Sequence, residues 1–229
     1  MQLAALKQCP KAGVAYRWTS FMDVDERGEP VSFLPSPEYS YMGDVYQQLL
    51  MGDFILSGSN TLIRSQAIQS AGEFEPTLKS CEDWDYWLRL AARFDFVLVP
   101  KYQILYRRTP GAMSSKVEVM KEASQITIER AYNDAPQELQ HLKKYTLTNF
   151  HRFCASLYLQ HRNDNLGIAE AKQHLLSAIS LQPKTLLDSL TQKLLIKYLL
   201  KKLFPQKLSS YFIQFTRKSI TITDPRLQA

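Results

Sequence analysis

Ser80-Cys81-Glu82-Asp83-Trp84-Asp85-Tyr86-Trp87-Leu88-Arg89 opens the stretch on which the fold turns. Trp84, Trp87, Leu88 and Ala91 recur at i, i+3, i+4 and i+7, one apolar face of a helix expected from Ser80 to Arg93. Phe94 to Val99 and Gln103 to Tyr106 then read as strands separated by Pro100-Lys101. Upstream, Ser65 is expected to cap a helix through Ala71, with Gly72 as its stop. Thr61 to Arg64 reads as extended, Ser57-Gly58-Ser59-Asn60 as a polar turn, and Asp44 to Met51 as a short helix. Gly13 to Trp18 reads as a strand and Met1 to Gln8 as a helix ended by Pro10 and Gly13. Met22 to Pro37, with Asp25, Gly28, Pro30, Pro35 and Pro37, reads as turn and loop. Strands and helices interleave, which predicts an α/β layer structure.

Past Gly111 the strand signals stop. Helices are expected at about Glu118–Tyr132, Gln137–Gln160, Ile168–Leu181 and Leu186–Phe204. Tyr158, Ala171, Leu175, Ala178 and Pro183 fit one tetratricopeptide-type hairpin, and a single copy cannot build a solenoid. The expected organisation is an α/β domain over 1–115, a helical region over 116–185 and a basic amphipathic tail over 186–229.

The chain has 229 residues, 45% of them hydrophobic, enough for a sizeable core. Its net charge of +6 is uneven. Residues 189–229 carry +7, leaving −1 to the first 188, so the main domain has no electrostatic footprint for nucleic acid. Cys9, Cys81 and Cys154 are far apart and show no metal-ligand spacing, which points to free thiols in a reducing, cytoplasmic setting. The four histidines fit no zinc pattern. On a helical wheel Leu195, Ile196, Leu199, Leu200 and Leu203 form one arc, with Lys193, Lys197 and Lys201 opposite. Lys207, Arg217 and Lys218 follow. Such a helix can lie on the inner face of an anionic membrane, or pack as ordinary core with its lysines solvated.

Three carboxylates, Glu82, Asp83 and Asp85, stand in the first turn of the Trp-bearing helix. Ser80-x-x-Asp83 has capping-box spacing, and acidic residues favour a helix N-terminus through its dipole. The same placement suits a general base, since a hydroxyl becomes a good nucleophile when a rigidly held group takes its proton. Burial would raise the pKa of that carboxylate and the dipole would lower it. Both readings stay open on the residues alone.

Gly72-Glu73-Phe74 followed by Glu82-Asp83-Trp84-Asp85 and Arg89 resembles the acceptor-side signature of family 2 glycosyltransferases. Tyr16, Trp18, Asp25 and Gly28, then Ser57–Asn60 with Arg64, then Tyr106-Arg107, Pro110 and Met113-Ser114, match the surrounding elements in order. The resemblance covers roughly residues 1–115. It implies a GT-A fold and an inverting displacement at the anomeric carbon of a nucleotide-sugar donor, with a glycan or lipid-linked acceptor. By that resemblance Asp83 is the catalytic base and Glu82 its rival. Trp84, Asp85, Arg89, Ser59 and Asn60 line or support the acceptor side. For Arg89 an ion pair with Asp85, and for Trp84 core packing, are the plain alternatives.

Two departures qualify the match. The family's strand-helix-strand donor half, ending in an Asp-x-Asp element for Mg²⁺ or Mn²⁺, would precede Met1. Asp23-Val24-Asp25 fits the letters but follows the wrong strand. Arg108-Thr109 stand where many relatives carry a histidine near the metal. The resemblance therefore implies an enzyme that needs its donor half from upstream or from a separate chain. The alternative is a non-catalytic remnant that acts as a binding protein.

Overall fold

The structure is a computed structural model that describes residues 1–109, 111–205 and 208. It is a mixed α/β layer followed by helices, the class expected from the sequence. Strand β1 (Ala12–Val24) is central. Strand β4 (Asp95–Arg108) runs parallel to it along one side. The other side is shared by β3 (Leu62–Ile63), antiparallel opposite Val14 and Ala15, and β2 (Pro30–Pro35), antiparallel opposite Ser20 to Val24. Both faces of β1 are covered, which explains its near-continuous apolar start. Helix α1 (Gln2–Gln8) lays Leu6 over Ala12, Ala15 and Val97. On the opposite face Val14 and Tyr16 enter the main core with Leu49, Ile55, Trp87 and Phe96. A side chain at Gly13 would put its Cβ 2.7 Å from the Phe94 ring, so the close approach of β1 and the start of β4 requires glycine.

Several expectations need correction. Met22 to Pro37 is not all loop, because β1 and β2 form a hairpin turning at residues 25–29. Its prolines stand at the two ends of an edge strand, where a missing N–H removes little from the ladder. Pro100-Lys101 does not divide two strands. Val99 pairs with Arg17 and Tyr102 with Trp18, so the two residues bulge out of one continuous β4. The capping box does not form. The Ser80 hydroxyl reaches Met120 Sδ instead, and Cys81 is the N-cap in a left-handed conformation (φ 58°). Likewise Arg64 rather than Ser65 precedes α3 (Ser65–Ala71), which Gly72 ends at φ 75°.

Helices α2 (Tyr46–Met51) and α4 (Glu82–Ala91) cover the sheet. The last carbonyls of α2 are satisfied by side chains. Leu49 O accepts from Trp84 Nε1 (2.9 Å), Leu50 O from Thr146 Oγ1 (2.8 Å) and Met51 O from Asn149 Nδ2 (3.0 Å). Six residues would not hold a helix alone, and these bonds fix where its end points. Thr146 and Asn149 belong to α6 (Lys143–His161), which follows α5 (Val117–Asp134) through a 3₁₀ turn, Gln137–Leu142. The expected single helix from Gln137 is thus divided. Ile128, Ala131 and Tyr132 of α5 join the main core. A second core gathers Tyr158 of α6, Ala171 and Leu175 of α7 (Asn165–Leu181), and Leu194 and Tyr198 of α8 (Ser189–Leu203).

The face of α8 that packs is not the arc of the helical wheel. Leu194 and Tyr198 are buried and Leu195 half-buried, whereas Ile196, Leu199 and Leu203 stay exposed. Lys207, Arg217 and Lys218, and Pro110 of the closing loop, lie outside the described residues.

Candidate active site

Helix α4 begins against the turn that follows α2. Asp83 lies at this junction. Its Oδ1 accepts the N–H of Trp84 at 2.8 Å, and the N–H groups of Gly58 and of Asp83 itself also stabilise its charge. Burial nevertheless outweighs those donors, and the nearby Glu82 adds to it, so the Asp83 pKa is raised. The contest between burial and helix start thus goes to burial. A carboxylate so placed holds a proton more firmly than a surface aspartate and is a better base once ionised.

A second carboxylate stands beside it. Asp53 follows directly on the capped end of α2 and Gly52. Its oxygens accept the N–H groups of Ile55 (2.9 Å) and Leu56 (3.2 Å), an Asx-type turn. Burial, and then the charge of Asp83, raise its pKa to about 7. Leu56, inside this turn, is left-handed at φ 68°. With Cys81 it is one of the two non-glycine residues of positive φ among the described residues. Both flank the carboxylates.

Asp53, Glu82 and Asp83 open into one cleft of about 1560 Å³, walled by the β1–β2 hairpin, the end of β4 and helices α5 and α6. Asp53 was missed in the sequence; Arg108, noted there only as a departure from the family pattern, also lines the cleft. Cys81 shares the wall, its Sγ 3.3 Å from Ser124 Oγ and its thiol pushed up to about 11 by burial. All three cysteines are free.

The other residues singled out in the sequence separate clearly. Glu82 is exposed at the rim. Trp84 lines the cleft with one edge but is buried and bonded to α2. Asp85 is buried away from the cleft, bridged to Arg89 Nε at 2.9 Å and Arg130 Nε at 3.1 Å. Arg89 also donates to Ala71 O, tying α3 to α4. Ser59 is exposed, and its N–H donates to Ser57 Oγ at 3.3 Å. Asn60 is wholly buried, and its amide bonds to Arg17, Thr19 and Ile55. Asp85, Arg89 and Asn60 do not line the cleft; each braces an element that does or that packs behind it.

No group of three or more potential metal ligands stands together among the described residues. Asp23 accepts from Ser32 Oγ at 2.7 Å and pairs with Arg108 at 2.8 Å, while Asp25 caps its own turn through the N–H groups of Arg27 and Glu29. This pair does not fit a divalent ion.

Residues 1–159 match the family described as Glycosyltransferase like family 2. The chain is a member of that family. The family 2 match runs through α5 and nearly all of α6, so it takes in helices that wall the cleft as well as the sheet. No curated protein matches the chain. No helix among the described residues is long and apolar enough to cross a membrane.

Proposed function

We propose that this family 2 protein transfers a sugar from a nucleotide-sugar donor to an acceptor hydroxyl by inverting displacement, with Asp83 as the general base. The observation that carries the reading is the placement of Asp83. It is a half-buried carboxylate of raised pKa, fixed by backbone N–H groups where α4 opens into a cleft large enough for a sugar and its acceptor. The acceptor hydroxyl gives its proton to Asp83 as its oxygen attacks the anomeric carbon from the face opposite the leaving diphosphate. Glu82, exposed at the rim, is the weaker candidate because no hydrogen bond among the described residues fixes its carboxylate as backbone N–H groups fix that of Asp83.

The resemblance brings Mg²⁺ or Mn²⁺ into the complete reaction, where it would neutralise the departing diphosphate. The described residues offer it no suitable set of ligands, so no step is assigned to it. A donor-binding segment, on this polypeptide or a separate one, would extend the sheet beyond β3, whose outer edge has no strand partner among the described residues. The acceptor is a glycan or a lipid-linked molecule. The test is a transferase assay with a panel of nucleoside diphosphate sugars and glycan acceptors, reading the anomeric configuration of product by NMR. Turnover with inversion, lost in Asp83→Asn, is the expected result. A product of retained configuration, or an unimpaired Asp83→Asn, overturns the assignment.

A further inference from the structure

Asp53 has no part in the family resemblance, yet the fold commits several contacts to placing it. Trp84, Thr146 and Asn149 fix the end of α2, Gly52 turns the chain, and Asp53 follows at the head of the turn. The Asp53 carboxylate binds the N–H groups of Ile55 and Leu56. Further along the same turn Gly58 presents its N–H to Asp83, and Asn60 then ties the turn to β1. The element that holds Asp53 is therefore the element that holds Asp83. Both carboxylates face the same cleft, and neither forms a salt bridge with a cation among the described residues.

We propose that Asp53 is a positioning residue that sets the basicity of Asp83 through its own negative charge, held by the same turn and facing the same cleft. The proposal rests on the reading of Asp83 as the base. When Asp53 ionises, a second negative charge stands beside Asp83 in a half-buried site, and Asp83 becomes the stronger proton acceptor. The elevated pKa of Asp53 places that change near neutral pH. Other titratable groups around the pair are Lys79, Cys81 and Glu82 at the start of α4, and Tyr39 from the segment after β2. The Asp23–Arg108 pair and His161 face it across the cleft. Of these, Glu82 acts on Asp83 in the same sense as Asp53, and it lies at the exposed rim.

The coupling is read first without any substrate. In the intact chain with ¹³Cγ-labelled aspartate, NMR titration should find Asp53 titrating near neutral pH. In Asp83→Asn that step should move down by roughly one pH unit. An Asp53 that titrates in the ordinary carboxylate range, or one indifferent to Asp83→Asn, overturns the proposal. The second reading is the pH profile of kcat/KM. The wild type should show an ascending limb near neutral pH that Asp53→Asn removes while keeping the lower limb. The asparagine of that variant retains Oδ1, which accepts both turn N–H groups, and Asp53→Ser offers a second turn-forming variant without the charge. A slower enzyme with the same profile would mean that Asp53 only shapes the turn, and would sink the idea. A coupled titration in a chain that transfers no sugar would uphold the pair and reject the transferase reading.

Discussion

The side chain of Asn60 is joined twice to the backbone of Arg17: Oδ1 accepts its N–H at 2.9 Å, and Nδ2 donates to its carbonyl at 2.5 Å. Arg17 lies on β1 between the stretch paired with β3 and the stretch paired with β2. The amide group thus takes the place of a neighbouring strand where the ladder is interrupted. Asn60→Ala leaves buried backbone groups unpaired, at about 1–3 kcal/mol for each. Asn60→Asp replaces the donors with a buried charge and should cost more. Urea unfolding should show midpoints falling in that order. An unchanged midpoint in the alanine variant would remove Asn60 from this role.

Within the carboxylates of α4, Asp83→Asn should lower turnover by roughly 10²–10⁴-fold, the usual loss for a general base. Asparagine is nearly isosteric and can still accept the Trp84 N–H, so the fold should survive. Glu82→Gln, at the exposed rim, should cost much less. Steady-state rates on matched protein would decide, and the reverse ranking would transfer the role to Glu82.

Acid sensitivity should come from the helical region. His174 is buried with its Nδ1 2.8 Å from His151 Nδ1, and burial, then His151 and Lys121, push its pKa down to about 4. The unfolded chain takes up that proton near pH ~6.5. Between those values the unfolded state binds more protons, so stability is present above about 6.5 and is lost as pH falls towards 4. The loss is on the order of 3 kcal/mol. Asp53 and Asp83, with raised pKa values, act in the opposite sense, so the informative quantity is the difference between variant and wild type. His174→Asn should flatten the fall of the urea midpoint over this window. A parallel fall in both proteins would contradict it.

Helix α8 leaves Ile196, Leu199 and Leu203 exposed beside Lys193 and Lys202. An apolar stripe flanked by lysines is suited to an anionic bilayer surface, where each basic residue adds about 1 kcal/mol. The chain should co-sediment with anionic vesicles and not with neutral ones, less so in high salt, and Leu199→Glu should weaken it. Equal indifference to both lipids would leave the stripe without that role.

Local patterns carried most of what could be read in advance. The α4 carboxylates, the apolar face behind them and the Gly72 stop all lie within about one helix of each other, and periodicity reveals them. Asp53 was not legible because its significance comes from Asp83, far along the chain, and from burial that no local pattern encodes. Asn60 and Arg89 were placed near the right elements, but polar residues in a turn or on a helix look the same whether they face a ligand or brace a backbone. Pro30, Pro35 and Pro100 misled for one reason. Proline signals a break, and only the pairing shows that strand ends and a bulge absorb it.

Leu56 and Cys81 have a consequence for how the sequence can drift. A non-glycine residue in the left-handed region carries about 1 kcal/mol that glycine would not. Cys81→Gly would relieve that strain, but it would also remove a side chain that packs on the main core and lies 3.3 Å from Ser124 Oγ. The two effects are of similar size, so the melting temperature should change little or fall. The extra freedom would loosen the start of α4 and with it Asp83, so turnover should drop without any gain in stability. The strain beside Asp83 is therefore held in place by its own packing, and a sequence that drifts towards glycine there gives up order at the cleft for nothing.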